Sequence, residues 1–131
     1  MEITRNGTLP CSLGGPANFT GHVVRTPLFG ARAPSRMVGG VATFEMGART
    51  VWHTHPVGQI LIITSGRGKA QSWGGPIQEV SSGDVVWFPP GEKHWHGASD
   101  TSAMSHIAIV EEENGAATTW MEPVSPEQYQ G

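Results

Sequence analysis

The chain contains one cysteine, Cys11, so no disulfide can form within it, and a reducing compartment is compatible with its sequence. No apolar run approaches the ~20 residues a membrane-spanning helix requires. The opening residues 1–8 lack the apolar core of a secretory signal. The expectation is a soluble, cytoplasmic protein without a membrane partner. Positive charge is also scarce: 8 Lys and Arg are scattered along 131 residues, against 11 Asp and Glu, for a net charge of −3. With no basic run to meet phosphate, no nucleic-acid partner is expected. Sustained helical periodicity is missing too. What is abundant is turn chemistry, with 18 Gly and 10 Pro. Short elements joined by tight turns imply an all-β domain.

The length suits one domain, residues 1–131, with enough chain for a full core. Residues 1–20 are polar and rich in Gly and Pro and read as an N-terminal arm, ordered over a barrel edge or on a partner subunit. Strand candidates follow: 22–25, ended by Pro27; 37–45; the segment from Gly47 to Gln59; 59–64, with a turn at 65–68; 69–73; 77–80; 85–88; 94–96; 104–111; and Trp120-Met121 at an edge. Ser125-Pro126 has the cap-then-proline form of a short C-terminal helical turn. About ten short strands suggest a barrel or jelly roll of two antiparallel sheets.

Alternation along the strands assigns faces. On 37–45, Val38, Gly40, Ala42 and Phe44 form the face directed inward. The small residues there either border a cavity or fit neighbouring bulk. On 104–111, Met104, His106, Ala108 and Val110 share the inward face. His53 and His55 lie at i and i+2, roughly 7 Å apart along a strand and on one side of it. Two neutral imidazoles so placed can reach one metal ion. Gln59 can add an oxygen from the next strand. His94 and His96 repeat the i, i+2 spacing. The two segments are expected to meet around one metal, with Thr50 at the pocket mouth and Arg49 an exposed charge. Trp52, Trp87 and Trp95 have the opposite parity and belong outside the cavity, against a second layer or a subunit. His96 and His106 are left as proton-transfer candidates or as interior hydrogen-bonded histidines.

Gly47, five residues, His53-x-His55, three residues, Gln59, six residues, Gly66 resembles the first cupin motif, with Gln where Glu is usual. Gly83, five residues, Pro89-x-Gly91, two residues, His94 resembles the second, with Ala98 where Asn is usual. The two motifs occupy residues 47–66 and 83–98. The resemblance implies a jelly-roll β-barrel holding one divalent metal on His53, His55, Gln59 and His94. Manganese, iron, zinc and nickel all suit three imidazoles and an amide oxygen. Because Gln59 is neutral, the full +2 charge of such an ion stays uncompensated, which favours Lewis-acid work over oxygen activation.

The wording of the motifs, with His106 on the last long strand, is further similar to a group of small bacterial cupins containing manganese-dependent (R)-selective hydroxynitrile lyases. That resemblance favours manganese and implies reversible cleavage of an aromatic cyanohydrin, such as mandelonitrile, to an aldehyde and hydrogen cyanide. His106 would then serve as base and His96 as acid, or the reverse. Gly40, Ala42, Phe44, Thr50 and Val110 would line the substrate pocket. A metal-dependent dioxygenase of a small organic substrate and a non-catalytic ligand-binding cupin remain alternatives. Self-association to a dimer or tetramer is the partner state the resemblance implies.

Overall fold

The structure, a computed structural model, describes residues 1–131. In chain order its strands are β1 (Ser12–Leu13), β2 (Phe19–Thr20), β3 (Val23–Phe29), β4 (Met37–Phe44), β5 (Arg49–Thr50), β6 (His53–Thr54), β7 (Gln59–Ser72), β8 (Gln78–Ser81), β9 (Val85–Phe88), β10 (His94–Ala98), β11 (Met104–Glu111) and β12 (Thr119–Trp120), followed by helix α1 (Pro126–Gln130). All pairings are antiparallel. One sheet runs β1-β3-β4-β11-β7-β9. The other runs β8-β7-β10-β5-β2, with β6 also on β10 and β12 on β6.

Strand β7 belongs to both sheets. Its first half pairs with β11 and β9, its second with β10 and β8. The expected turn at 65–68 is therefore a bend inside one 14-residue strand. Gly66 adopts φ 74°, and a Cβ there would run into the Ala103 carbonyl, so the bend needs glycine. The ladder to β11 slips between Ser105 and His106, beside that bend. A turn signal read from composition is thus the corner where one strand changes sheets.

Two further expectations are corrected. Pro27 does not end β3; the strand continues to Phe29. Its outer neighbour β1 pairs only as far as Arg25, so the missing N–H at 27 breaks no ladder on that side. The arm is also more than an arm. From Ser12 onward it supplies edge strands to both sheets, and Phe19 is buried in the core. It lies over the barrel edge of its own chain.

The main core fills the space between the sheets: Phe19, Val23, Phe44, Leu61, Ile63, Phe88 and Met104 are its large members. A second cluster lies outside the barrel, where Trp52 and Trp95 pack with Val124 and Tyr129 beneath α1. The helix opens on a full capping box, with Ser125 Oγ accepting from Gln128 N–H and Gln128 Oε1 accepting from Ser125 N–H. Arg49 holds the segment leading into it by donating to the Val124 carbonyl, and its guanidinium lies over the Tyr129 ring. Arg49 is accordingly 8% exposed, not the surface charge expected.

Candidate metal centre and active site

The inward rows of β3, β4, β11 and β7 face an open cavity of about 540 Å³, the scale of a small-molecule site. Gly40, Ala42, Phe44, Thr50 and Val110 all line it, together with His53, His55, Gln59, His96 and His106. His94 closes the cluster from below, fully buried, its ring stacked on Phe88 at 3.6 Å between centroids. Gly40 and Ala42 therefore border the cavity, while a Cβ at Gly40 would also come within 3.2 Å of the Thr26 carbonyl and Gly39 lies against the Phe29 ring.

The two histidine segments meet because β6 and β10 pair in register, His53 opposite His94. Their rings are 4.2 Å apart, and His55 stands 5.0 Å from His53 and 5.4 Å from His94. Further up, Arg49 pairs with Gly97. Four residues on one strand thus span three on the other, which inserts one extra residue at Val51-Trp52. The insertion reverses the side-chain phase. Arg49 goes outward to α1, Thr50 goes to the cavity, and His53 still points inward.

Hydrogen bonds sort the five interior histidines. His53 Nδ1–H donates to the Val51 carbonyl, His94 Nδ1–H to Glu92 and His55 Nδ1–H to Ala117, each at 2.8 Å. A neutral imidazole has one N–H, so each of these rings keeps a bare Nε2. His94 Nε2 then faces Gln59 Oε1 at 3.1 Å. Two acceptors in contact are relieved by a shared cation, and the buried His55 Nε2 has no partner at all. These observations fit a divalent metal held by neutral donors.

Distance alone selects a different third histidine. The ligand nitrogens of His53, His94 and His96 lie within 4.8 Å of one another, and that trio omits His55. The hydrogen bonds favour His55 over His96. His96 lacks a carbonyl anchor and is tied through Nδ1 to His106 Nε2 at 3.1 Å. That pair leaves His96 Nε2 and His106 Nδ1 buried and unpartnered.

Burial sets the protonation states. Desolvation pushes His106 down to about 4 and His94 down to about 3. His53 and His96 are also lowered well below the ordinary histidine range, first by burial and then by neighbouring imidazoles. His55 is lowered by the same desolvation. His94 and His106 are therefore neutral near pH 7, the form in which an imidazole has a lone pair to offer.

Sequence reasoning missed several lining residues. Trp120 enters because β12 places it opposite His53, their rings 5.0 Å apart. Phe19, Arg25, Phe29 and Leu9 come from the arm and β3. Arg25 and Val23 share the parity of an inward row, a signal present in the sequence. The arm's contribution had no periodic signal.

A two-sheet antiparallel jelly roll with a histidine cluster inside its mouth defines a class of small barrel proteins built around an interior site. The chain belongs to the cupin family: the cupin-domain family model matches residues 40–110. An (R)-mandelonitrile lyase of Granulicella tundricola is 57% identical over 130 residues, covering 98% of each chain. A crystal structure of a cupin-like protein from Thermotoga maritima is 36% identical, covers 99% of this chain and 96% of its own, and superposes with a TM-score of 0.85. A cupin 2 conserved barrel domain protein from Rhodopseudomonas palustris, 18% identical over 92% of this chain and 81% of its own, has a TM-score of 0.72 and shares the fold.

Proposed function

We propose that the protein is a metal-dependent hydroxynitrile lyase that reversibly cleaves (R)-cyanohydrins such as mandelonitrile to an aldehyde and hydrogen cyanide. The reading is supported by its 57% identity over nearly the whole chain to a protein of that activity, with the histidine cluster in an apolar cavity. His53, His55, Gln59 and His94 are the proposed ligands of one divalent ion, with manganese favoured by resemblance. Bound there, the ion supplies a Lewis acid that favours ionisation of the substrate hydroxyl.

The His96–His106 pair carries the protons. Two neutral imidazoles joined by one hydrogen bond always present one acceptor and one donor at their outer nitrogens. With His106 Nε2–H donating to His96 Nδ1, the bare atom is His106 Nδ1 and the outer donor is His96 Nε2–H. His106 then takes the hydroxyl proton. Its Nε2 proton passes to His96, whose Nε2 proton goes to the departing cyanide carbon as the C–C bond breaks. Aldehyde and hydrogen cyanide leave, and the pair ends in its other tautomer. That tautomer is the arrangement required for the reverse reaction, so both directions use the same two residues. Phe44 packs on both rings, at 5.3 Å from His106 and 5.9 Å from His96, and holds them facing each other. Gly40, Ala42, Thr50 and Val110 leave room for the aryl group.

Purified protein should carry about one divalent metal per chain and release cyanide from mandelonitrile. His53→Ala and His94→Ala should lose both properties. Full turnover by metal-stripped protein, or oxygen uptake without cyanide release, would end this reading.

We further propose a cytoplasmic location and self-association. No helix is long and apolar enough to cross a membrane. The outer face of the first sheet carries Val85, Trp87 and Ile60, exposed by 67%, 54% and 36%, beside Ile62, Ile107 and Ile109. No charge interrupts this row, so a second copy of the same face matches it about a two-fold axis. A tetramer would need a further contact.

A further inference from the structure

The cavity is lined by one formally charged side chain, Arg25. Its position follows from strand register. Ser12, Arg25, Ala42 and His106 are successive partners across β1, β3, β4 and β11. Cross-strand partners share a face, so Arg25 is directed to the same side as His106. Neighbouring strands lie about 4.8 Å apart, which puts the two backbones about 10 Å from each other. Only the methyl of Ala42 stands between them on that rung.

Arg25 is also free to bind. Arg32, Arg36, Lys69 and Lys93 each hold a carboxylate, whereas Arg25 has no acidic partner. Its guanidinium carbon sits 5.6 Å from the centre of the Phe19 ring. The ring holds the cation by its face, and the guanidinium N–H groups have no hydrogen-bond partner in the protein, so they remain available. A rim arginine with unpartnered N–H donors can receive a planar anion through two parallel hydrogen bonds.

We propose that Arg25 is a specificity residue that selects substrates bearing a carboxylate at the end remote from the reacting carbon. This rests on the lyase reading and names acidic aromatic aldehydes and their cyanohydrins as preferred over neutral ones such as mandelonitrile. A carboxylate matches the two-pronged guanidinium edge. A phosphate dianion would call for further cations, and the cavity lining holds none. Cyanide is linear, with one acceptor atom at each end, and departs at the His96 end, so it does not use the fork.

The test measures kcat/KM for cyanide addition to 4-formylbenzoate and to benzaldehyde, at low and high salt. Arg25 is exposed at the rim, so the wild type should favour the anionic aldehyde by about threefold, the order expected for a solvent-screened ion pair, with the preference shrinking in salt. Arg25→Gln should abolish the preference, Arg25→Glu should reverse it, and Arg25→Lys should retain part of it. Arg67→Gln, a cation off the cavity, should leave the ratio at its wild-type value. Equal rates for both aldehydes in the wild type would overturn the proposal. So would inhibition by the carboxylate that Arg25→Gln does not relieve, because the anion would then be bound elsewhere. A KM for cyanide raised equally with both aldehydes would reassign Arg25 to the nucleophile and also overturn it. If the wild type forms no cyanohydrin at all, the lyase reading fails. Equilibrium binding of the two aldehydes, followed by tryptophan fluorescence, then decides Arg25 separately: a carboxylate preference that Arg25→Gln removes upholds the selection, and its absence refutes it.

Discussion

Acidification of the metal-free protein should unfold it well above the pH at which its carboxylates protonate. The cause is the histidine cluster. His94 and His106 titrate at about 3 and about 4 in the folded protein because burial disfavours their cations. In the unfolded chain they return to the ordinary value near 6.5. The unfolded state therefore binds more protons between these limits, and stability rises with pH. Stability is fully present above about 6.5 and is lost as pH falls toward 4 and 3. At pH 5 each of the two contributes a loss of about 2 kcal/mol relative to pH 8, from 2.303RT per unit of displacement. The pair alone removes about 4 kcal/mol, a large share of the 5–15 kcal/mol typical of a domain. His53, His55 and His96 shift in the same direction and add to the loss.

Urea titrations of chelator-treated protein from pH 8 to pH 4.5 measure this directly. Trp52 and Trp95 are 2% and 0% exposed and report unfolding by fluorescence. The slope of the unfolding free energy near pH 5 should correspond to at least about two protons taken up on unfolding. A stability that changes by less than about 1 kcal/mol between pH 8 and pH 5 would refute the claim that these histidines are held neutral by burial.

Replacing His106 by Ala should leave the metal content intact and lower kcat by at least about 100-fold, the usual loss for a general base. Wild-type turnover would assign it to packing. Gln59→Glu should tighten metal binding at least about tenfold, because it adds a negative charge to a neutral donor set, and should lower the melting temperature of the metal-free form by burying that charge unpaired. Titration with a competing chelator and thermal melts read the two effects. Trp87→Glu should convert the assembled protein to monomers in sedimentation velocity, since it places a charge within the apolar outer face; an unchanged mass would move the interface elsewhere.

Strand alternation made much of the cavity wall legible. Val38 to Phe44 and Met104 to Val110 are uninterrupted strands that pair with each other residue by residue, so parity carried over from one end to the other. The same rule failed where the count of residues changes. Alternation counted back from His53 would put Arg49 on the inner face, and the expectation is an exposed charge; the extra residue at Val51-Trp52 instead turns it out and buries it under α1. Nothing in the local sequence distinguishes that bulge from continuous strand, because the evidence for it is the spacing on β10. The turn assigned at 65–68 failed for a related reason. Gly66 and Gly68 carry turn composition, yet their backbones are needed for close approach to Ala103 and Gly97 across the sheet corner. Trp52 and Trp95 were correctly placed outside the cavity, but their covering layer is the chain's own C-terminus.

Division of labour among the five histidines depends on their backbone partners more than on their distances. Four of them line one cavity and His94 lies buried below it, and by proximity His96 rather than His55 groups with His53 and His94. Three of them have a carbonyl on Nδ1, which fixes the tautomer and leaves one lone pair in a set direction. For His53 and His94 that carbonyl belongs to the residue two positions earlier, Val51 and Glu92, so entry into the strand brings its own anchor. For His55 it comes from Ala117, which arrives with the segment between β11 and β12. The fourth and fifth histidines have no carbonyl and bond to each other, which leaves their tautomer free to exchange. Ligation requires a fixed lone pair, and proton transfer requires a tautomer that can change. Under the proposed reading, one residue type serves both roles because three rings are anchored and two are coupled to each other.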